Sequence, residues 1–162
     1  MPSIRAVVAD PNATGHLSIA GVDTPVPLPS EAVVRVRALS LNRGETNRAQ
    51  RAPAGWRPGW DIAGLVEQAS AEGGPKVGER VVGLLSSGAW AELVAIPTTN
   101  LAVLPDGVSF EQALAAFETP IASAGIIGVA ANLRASGFGF ATRVATLLRA
   151  LRILPAHRET TR

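Results

Sequence analysis

An alternation of apolar and basic side chains over residues 32–41 is the feature that most restricts the fold of this chain. The segment reads AVVRVRALSL, which places Val34, Val36 and Ala38 on one face of an extended strand and the two intervening arginines on the other. Period two over such a length is typical of a strand with one buried face. The segment therefore predicts a β-sheet that covers a core on one side.

Further short strands are expected along the first hundred residues, each an apolar run bounded by turn residues such as Asp10-Pro11-Asn12. The predicted strands are 4–9, 17–22, 32–41, 61–68, 80–85 and 89–96. Residues 42–59 are polar and rich in proline and glycine, and are predicted to form a long loop, which in a compact domain is usually functional or mobile. Short strands at this spacing favour an open or closed β-barrel.

The pattern changes to a helical one at Ser109. Ser109 and Gln112 fit a capping box, in which each side chain satisfies a free backbone N–H of the other residue. The helix should end near Glu118, because Pro120 disfavours helix at the residue before it. Residues 138–154 carry apolar side chains at helical spacing with arginines mostly elsewhere, which predicts a basic amphipathic helix. The expected fold class is mainly β with C-terminal helices.

Composition removes several classes of site. The 162 residues include no cysteine and two histidines, so disulfides are excluded and a zinc site lacks ligands. No apolar run reaches the roughly 18 to 20 residues that span a bilayer, and the first ten residues resemble a strand rather than a signal peptide. We therefore expect a cytoplasmic protein without a membrane span.

Charge is distributed unevenly along the chain. Residues 1–133 carry nine Lys and Arg against twelve Asp and Glu, whereas residues 134–162 carry six Arg against one Glu. A basic tail can bind nucleic acid, a membrane surface or an acidic partner. Docking of the tail on the chain's own body, or a homodimer formed through the C-terminal helices, is the simpler interpretation, and nucleic-acid binding is not expected. A shifted reading frame in GC-rich DNA would also encode such an Ala/Arg/Leu-rich tail.

Several segments resemble the medium-chain dehydrogenase/reductase superfamily, in particular its zinc-free quinone-oxidoreductase-like branch. In order along the chain they are SLNRGE (40–45), PGWDIAGLVE (58–67), VGERVVGL (77–84) and GAWAELVAIPTTNLAVLPDGVSFEQAL (88–114). The resemblance covers roughly residues 1–118 and implies a GroES-like, partly open β-barrel that holds substrate. Residues 119–162 are not covered, and we expect them to form a helical, Arg-rich tail that packs on the barrel or on a partner.

In such relatives a Rossmann domain that follows the barrel holds NADPH. That fold would need roughly 130 more residues, whereas 44 follow Glu118. Residues 122–128 fit A-x-x-G-x-x-G, but no buried strand precedes them and no acidic residue follows at the required distance. We therefore expect that this chain binds no cofactor by itself.

The resemblance places Asn42, Arg43 and Glu45 in a segment that faces the cleft, where they would position a carbonyl or enone oxygen near the hydride donor. Trp60-Asp61 stand where zinc-dependent members have a zinc-binding histidine. Without a cofactor, Glu45 or Asp61 could act as a general base, with Arg43 stabilising an enolate. The alternatives are a loop-entry asparagine with a surface ion pair, a turn-capping role for Asp61, and a partly buried Asp61 with a raised pKa.

The three tryptophans, Trp56, Trp60 and Trp90, are candidates for an apolar wall against a flat or polyketide-like ligand. Two of them flank the predicted cleft loop. Ordinary core packing is the alternative, most readily for Trp90.

Three functions follow from these observations. The first is the substrate-binding half of a quinone-oxidoreductase-like NAD(P)H-dependent oxidoreductase, redox-incompetent alone or borrowing a cofactor domain from another chain. The second is a cofactor-independent small-molecule enzyme, such as a cyclase, isomerase or dehydratase, that reuses the old cleft. The third is a non-catalytic remnant or a dimerising interaction module.

Overall fold

The computed structural model describes residues 3–41 and 43–115, which form seven strands and two helices joined by turns. The strands are β1 (Ser3–Ala9), β2 (Leu17–Asp23), β3 (Glu31–Leu39), β4 (Asp61–Gln68), β5 (Arg80–Leu84), β6 (Leu93–Pro97) and β7 (Leu101–Val103). Helix α1 is Arg43–Ala49, and helix α2 occupies residues 110–115. The expectation of a mainly β, partly open barrel is confirmed.

Five of the strands form one antiparallel sheet in the order β6-β3-β4-β5-β7, and β1 pairs with β2 in a separate hairpin. The hairpin attaches to the chain just before β6. The Val7 N–H donates to the Trp90 carbonyl at 2.9 Å, and the Glu92 N–H donates to the Arg5 carbonyl at 3.0 Å. The hairpin therefore continues the curled sheet along one side of the core.

Strand β3 shows the alternation that its sequence predicts, with Val34 buried and Arg35 and Arg37 exposed. Ala32 and Val33 are buried as well, so three successive side chains are inside. The pairing with β4 shifts register between Val33 and Val34, and again between Val36 and Ala38. Such bulges bend a strand and interrupt strict alternation, which suits a sheet that curls into a barrel.

Strand β4 is buried on both faces. Ile62 and Val66 belong to the main core, whereas Ala63 packs in a second cluster with Val82 of β5 and Ala113 of α2. Two-sided burial explains why the first four residues of β4 are all inaccessible and mostly small and apolar. The central strand thus joins the barrel core to the layer beneath α2.

Helix α2 begins with the capping box that the sequence predicts. The Ser109 N–H donates to Gln112 Oε1 at 2.8 Å, and the Gln112 N–H donates to Ser109 Oγ at 3.1 Å. The Arg80 guanidinium lies over the Phe110 ring, 4.8 Å from its centroid, and donates to the Val108 carbonyl. The start of α2 is therefore fixed both by its own cap and by β5.

Three expectations need correction. Residues 42–59 are not one long loop, because α1 occupies part of them, with Glu45 in its first turn and Arg48 in its last, as the helix dipole favours. The strand predicted for 89–96 begins at Leu93, since the preceding residues bond to β1 and to the segment before β4. Strand β7 was not predicted.

The amphipathic helix predicted at 138–154, the glycine motif at 122–128, the predicted helix end near Glu118 and the entire tail domain at 119–162 lie outside the described residues. The two-part domain division stays a prediction. Neither helix in the described ranges is long and apolar enough to cross a bilayer.

Gly64 tests how tightly β3 and β4 approach one another. A Cβ atom on Gly64 would meet the Arg35 backbone carbonyl well inside van der Waals contact, whereas one on Gly21 would meet nothing within 4 Å. We expect Gly64→Ala to lower the free energy of unfolding by about 2 to 3 kcal/mol, as overpacking does. Gly21→Ala is the matched control, and urea unfolding measures both. Equal stability of the two variants would contradict the close approach.

Glu92 makes hairpin attachment depend on pH. Hydrogen bonds from the Arg5 backbone N–H and from its guanidinium hold the pKa of Glu92 below its usual range. Because the pKa of Glu92 is lower in the folded than in the unfolded protein, its ionised form stabilises the fold at pH values above the unfolded pKa of about 4.3. This stabilisation is lost as the pH falls through the folded pKa. We therefore expect the stability difference between the wild type and Glu92→Gln to shrink on acidification from pH 6 to pH 3 in urea melts. A difference independent of pH would contradict it.

Candidate functional site

Helix α1 divides its residues between a buried and an exposed face. Glu45 and Ala49, four residues apart, are buried at 0 % and 2 % exposure. Gly44, Asn47 and Arg48 lie on the opposite side, and Arg51 continues the same i, i+3, i+4, i+7 spacing beyond the end of the helix. The helix therefore presents a polar, basic stripe to the outside.

A pocket of about 490 Å³ lies against this stripe. The residues that line it are Gly44, Asn47, Arg48, Arg51, Ala52, Pro53 and Trp56. The Arg48 guanidinium carbon lies 5.1 Å from the centroid of the Trp56 ring, within the range of a cation–π interaction. The pocket thus combines an aromatic wall with two guanidinium groups.

The segment that carries Trp56 is fixed by backbone hydrogen bonds. The Ala9 N–H donates to the Trp56 carbonyl at 2.7 Å, and the Gly55 N–H donates to the Ala9 carbonyl at 2.8 Å. Further along, Gly59 has φ +106°, and a Cβ there would lie 2.5 Å from the Trp90 backbone nitrogen. This wall of the pocket is therefore held against β1 and the segment before β6.

A buried polar cluster lies where β3 ends and β4 begins. The β3–β4 register continues from Leu39 opposite Ile62 to Ser40 beside Asp61. The Ser40 hydroxyl donates to the Asp61 carboxylate, 2.7 Å from Oδ1 and 2.6 Å from Oδ2. Trp90 Nε1–H donates to the Ser40 carbonyl at 3.0 Å. Asp61, at 3 % exposure, is therefore tied to the strand beside it.

The predicted site residues separate into buried and exposed groups. Asn42 lies outside the described residues. Arg43 is exposed while Glu45 is fully buried, and the roles of the two residues, the surface ion pair included, stay predictions. Asp61 is buried at 3 % exposure, and neither it nor Glu45 is among the residues that line the pocket.

The three tryptophans also separate. Trp56 lines the pocket, as a substrate-binding wall requires. Trp60 is half-buried, and its carbonyl accepts a hydrogen bond from the Leu85 N–H at 2.6 Å. Trp90 is 3 % exposed and belongs to the main core, which confirms ordinary packing for it.

Sequence reasoning missed Asn47, Arg48 and Arg51. The signal was the i, i+3, i+4, i+7 spacing of Gly44 and these residues, which only becomes visible once residues 43–49 are taken as helical. It also missed Arg57, whose pKa is lowered by burial. Arg57 Nε has no hydrogen-bond partner among the described residues, although its other end donates to the Gly88 carbonyl at 3.3 Å.

Metal ligands are not clustered in what is described. Within residues 3–41 and 43–115, no group of three or more His, Asp or Glu side chains is placed to hold an ion. Asp61, which the resemblance placed at the position of a zinc-binding histidine, bonds to Ser40.

A family model and individual relatives match the same part of this chain. Residues 28–106 match the model of the alcohol dehydrogenase GroES-like domain. The mouse synaptic vesicle membrane protein VAT-1 homolog is 32% identical over 118 residues, which are 68% of this chain and 29% of that protein. A trans-enoyl reductase of Aspergillus niger is 34% identical over 120 residues, 66% of this chain and 32% of its own length.

Solved structures agree with these relatives. A quinone oxidoreductase from Pseudomonas syringae superposes with a TM-score of 0.60 at 33% identity, covering 69% of this chain and 37% of that one. A mycobacterial protein solved in complex with NADPH gives 0.58 at 27% identity, covering 70% and 36%. The chain thus spans about a third of the length of the relatives that it matches.

The Ser40 hydroxyl tests whether the buried cluster stabilises the site. Ser40→Ala removes a donor from a buried carboxylate, and leaving such a charged group underbonded should lower the free energy of unfolding by about 2 to 3 kcal/mol. Ser86→Ala, at an exposed turn position, is the control and should change it by less than about 0.5 kcal/mol. Chemical denaturation measures both. A Ser40→Ala protein as stable as the control would show that Asp61 does not depend on this bond.

Proposed function

Because this chain belongs to the quinone-oxidoreductase-like branch of the medium-chain dehydrogenase/reductase superfamily, we propose that it is the substrate-binding half of an NAD(P)H-dependent oxidoreductase. The observation that carries the proposal is the pocket of about 490 Å³ against α1 and Trp56. Its volume lies in the range of small-molecule sites, and its aromatic wall suits a flat, conjugated ligand.

The cofactor is proposed to lie on a nucleotide-binding fold other than residues 3–115. A dinucleotide site needs a glycine-rich turn that runs from a buried strand into a helix N-terminus. In the described ranges, the strands that precede α1 and α2 are followed by Ser40-Leu41 and by Leu104-Pro105-Asp106, neither of which is such a turn. These residues do not fit the pyrophosphate of a nicotinamide cofactor.

The candidate site residues are assigned proposed roles by their burial. Arg43 begins α1 and is exposed, but it is not among the residues that line the pocket. Contact of Asn42 and Arg43 with the polar end of the substrate therefore stays a prediction from the resemblance. Glu45 and Asp61 are proposed to support the cleft, since both are buried and neither lines the pocket. Trp56 is assigned to the substrate wall, whereas Trp60 and Trp90 hold the segment behind it.

The cofactor-independent reading receives less support. A general base must come within hydrogen-bond reach of the proton that it removes. Glu45 and Asp61 are the buried carboxyls near the pocket, and their absence from its lining weakens their assignment as bases. A cytoplasmic location, and dimerisation through the tail, stay predictions from the sequence.

Calorimetric titration of the full chain tests the two parts of this proposal. With 1,4-naphthoquinone as probe we expect saturable binding that weakens at least about fivefold in Trp56→Ala, since a stacked aromatic contact contributes about 1 kcal/mol. Val77→Ala, which shortens an exposed apolar side chain outside the pocket, is the control and should bind as the wild type does. With NADPH we expect no saturable heat at millimolar concentration. Saturable NADPH binding would contradict the placement of the cofactor, and quinone binding unaffected by Trp56→Ala would contradict the substrate pocket.

A further inference from the structure

We infer that the pocket beside α1 selects a flat ligand that carries a carboxylate, held by Arg48 and Arg51 with its ring against Trp56. This inference rests on the proposed function, because it names the substrate class of that same pocket. It is carried by the charge of the pocket and by the geometry of the Arg48–Trp56 pair.

The pocket wall has an excess of positive charge. Two of its seven lining residues are arginines and, as far as the structure describes the chain, none of them is acidic. Elsewhere the exposed arginines Arg5 and Arg35 form ion pairs with Glu92 and Glu67. No carboxylate in the described ranges pairs with Arg48 or Arg51 in this way. Two neighbouring guanidinium groups without a counter-charge favour an anion between them.

The Arg48–Trp56 stack leaves the binding edge of the guanidinium available. The Arg48 guanidinium carbon lies 5.1 Å from the centroid of the Trp56 ring, a cation–π distance that depends on the charge of the group rather than on its N–H hydrogen bonds. The N–H groups lie in the guanidinium plane, in a fork that matches the two oxygens of a carboxylate. Arg48 therefore lies against Trp56, and its N–H groups are proposed to donate to a ligand in the pocket.

The carboxyl end of α1 lies near the pocket and would by itself disfavour an anion, because helix C-termini carry partial negative charge. Its last carbonyls are already bonded, however. The Gln50, Arg51 and Ala52 N–H groups donate to the carbonyls of Thr46, Arg48 and Ala49, at 3.3, 3.1 and 3.3 Å. These turns place Arg51 beside Arg48 and reduce the negative potential that the helix end presents.

An extended aromatic acid uses the pocket more fully than a small inorganic anion does. A volume of about 490 Å³ greatly exceeds that of a phosphate ion, which would leave the Trp56 wall uncovered. In the proposed arrangement a two-ring carboxylate lies along the part of the Trp56 wall that Arg48 does not cover, with its charge at the arginines. The probes are therefore 2-naphthoate, its neutral amide 2-naphthamide, and inorganic phosphate.

Calorimetry with the full chain measures the preference. We expect 2-naphthoate to bind at least about tenfold more tightly than 2-naphthamide, as a charge-assisted hydrogen bond is worth that ratio. Phosphate is expected to bind more weakly than 2-naphthoate and to displace it. The preference for 2-naphthoate should shrink as the NaCl concentration rises, since the pair of arginines is exposed.

Substitution of the two arginines tests whether they cause the preference for the carboxylate. Arg48→Gln and Arg51→Gln should each remove most of the preference for 2-naphthoate over 2-naphthamide, and the ratio of the two affinities is the readout because both probes meet the same altered wall. Arg37→Gln is the matched control, because Arg37 is an exposed arginine on β3 outside this pocket, and it should retain the full preference. Urea melts of the three variants confirm that each is folded.

The outcomes separate this inference from the proposed function. Equal binding of 2-naphthoate and 2-naphthamide, with quinone binding that still depends on Trp56, would overturn the anion preference and leave the substrate pocket intact. A preference that survives in both Arg48→Gln and Arg51→Gln would overturn it as well. Failure of every aromatic probe to bind would instead contradict the proposed function, and tighter binding of phosphate than of 2-naphthoate would assign the arginines to a phosphate group.

Discussion

The buried Asp61 carboxylate is the interaction on which the candidate site depends. It accepts the Ser40 hydroxyl with both oxygens, and the Ser40 carbonyl in turn accepts Trp90 Nε1–H. These bonds join the end of β3, the start of β4 and the segment before β6 at one point. Burying a carboxylate is costly unless hydrogen bonds offset the loss of water, so the cluster restricts the chain to an arrangement in which all three segments meet. Helix α1 leaves the sheet from this point, which fixes where the pocket lies.

Much of the barrel could be predicted from local pattern, because its strands are short and bounded by strong turn residues. The bounds of β4 were predicted correctly, and the capping box of α2 formed as its serine and glutamine indicate. The register was not predictable, since bulges in β3 depend on how β4 packs against it. Strand β7 has only three residues and is defined by its pairing with β5, which a local sequence pattern does not predict.

Helix α1 was missed for a different physical reason. Its sequence RGETNRA lacks an apolar stripe, and its two buried positions are a glutamate and an alanine. The helix is stabilised by the burial of Glu45 and Ala49 and by the favourable interaction of Glu45 and Arg48 with the helix dipole. It lacks the amphipathic pattern that sequence analysis detects. Consequently the residues on its outer face were taken as loop residues. These residues share one face only when the backbone is helical, so a loop prediction does not bring them together in a pocket.

Buried and exposed positions around α1 differ in their relation to the family motifs: the motifs supply the buried residues, and the segment between them supplies the residues that line the pocket. The glutamate of SLNRGE and the aspartate of PGWDIAGLVE are both buried, where their identity matters for the joining of strands and helix. The pocket is lined by residues between these motifs, among them Arg48, Arg51 and Trp56. Substitutions there change the charge and shape of the wall without disturbing the cluster at Asp61, because the wall residues are held mainly through their backbone. A barrel of this kind can therefore keep one framework while the residues on its outer helix face vary.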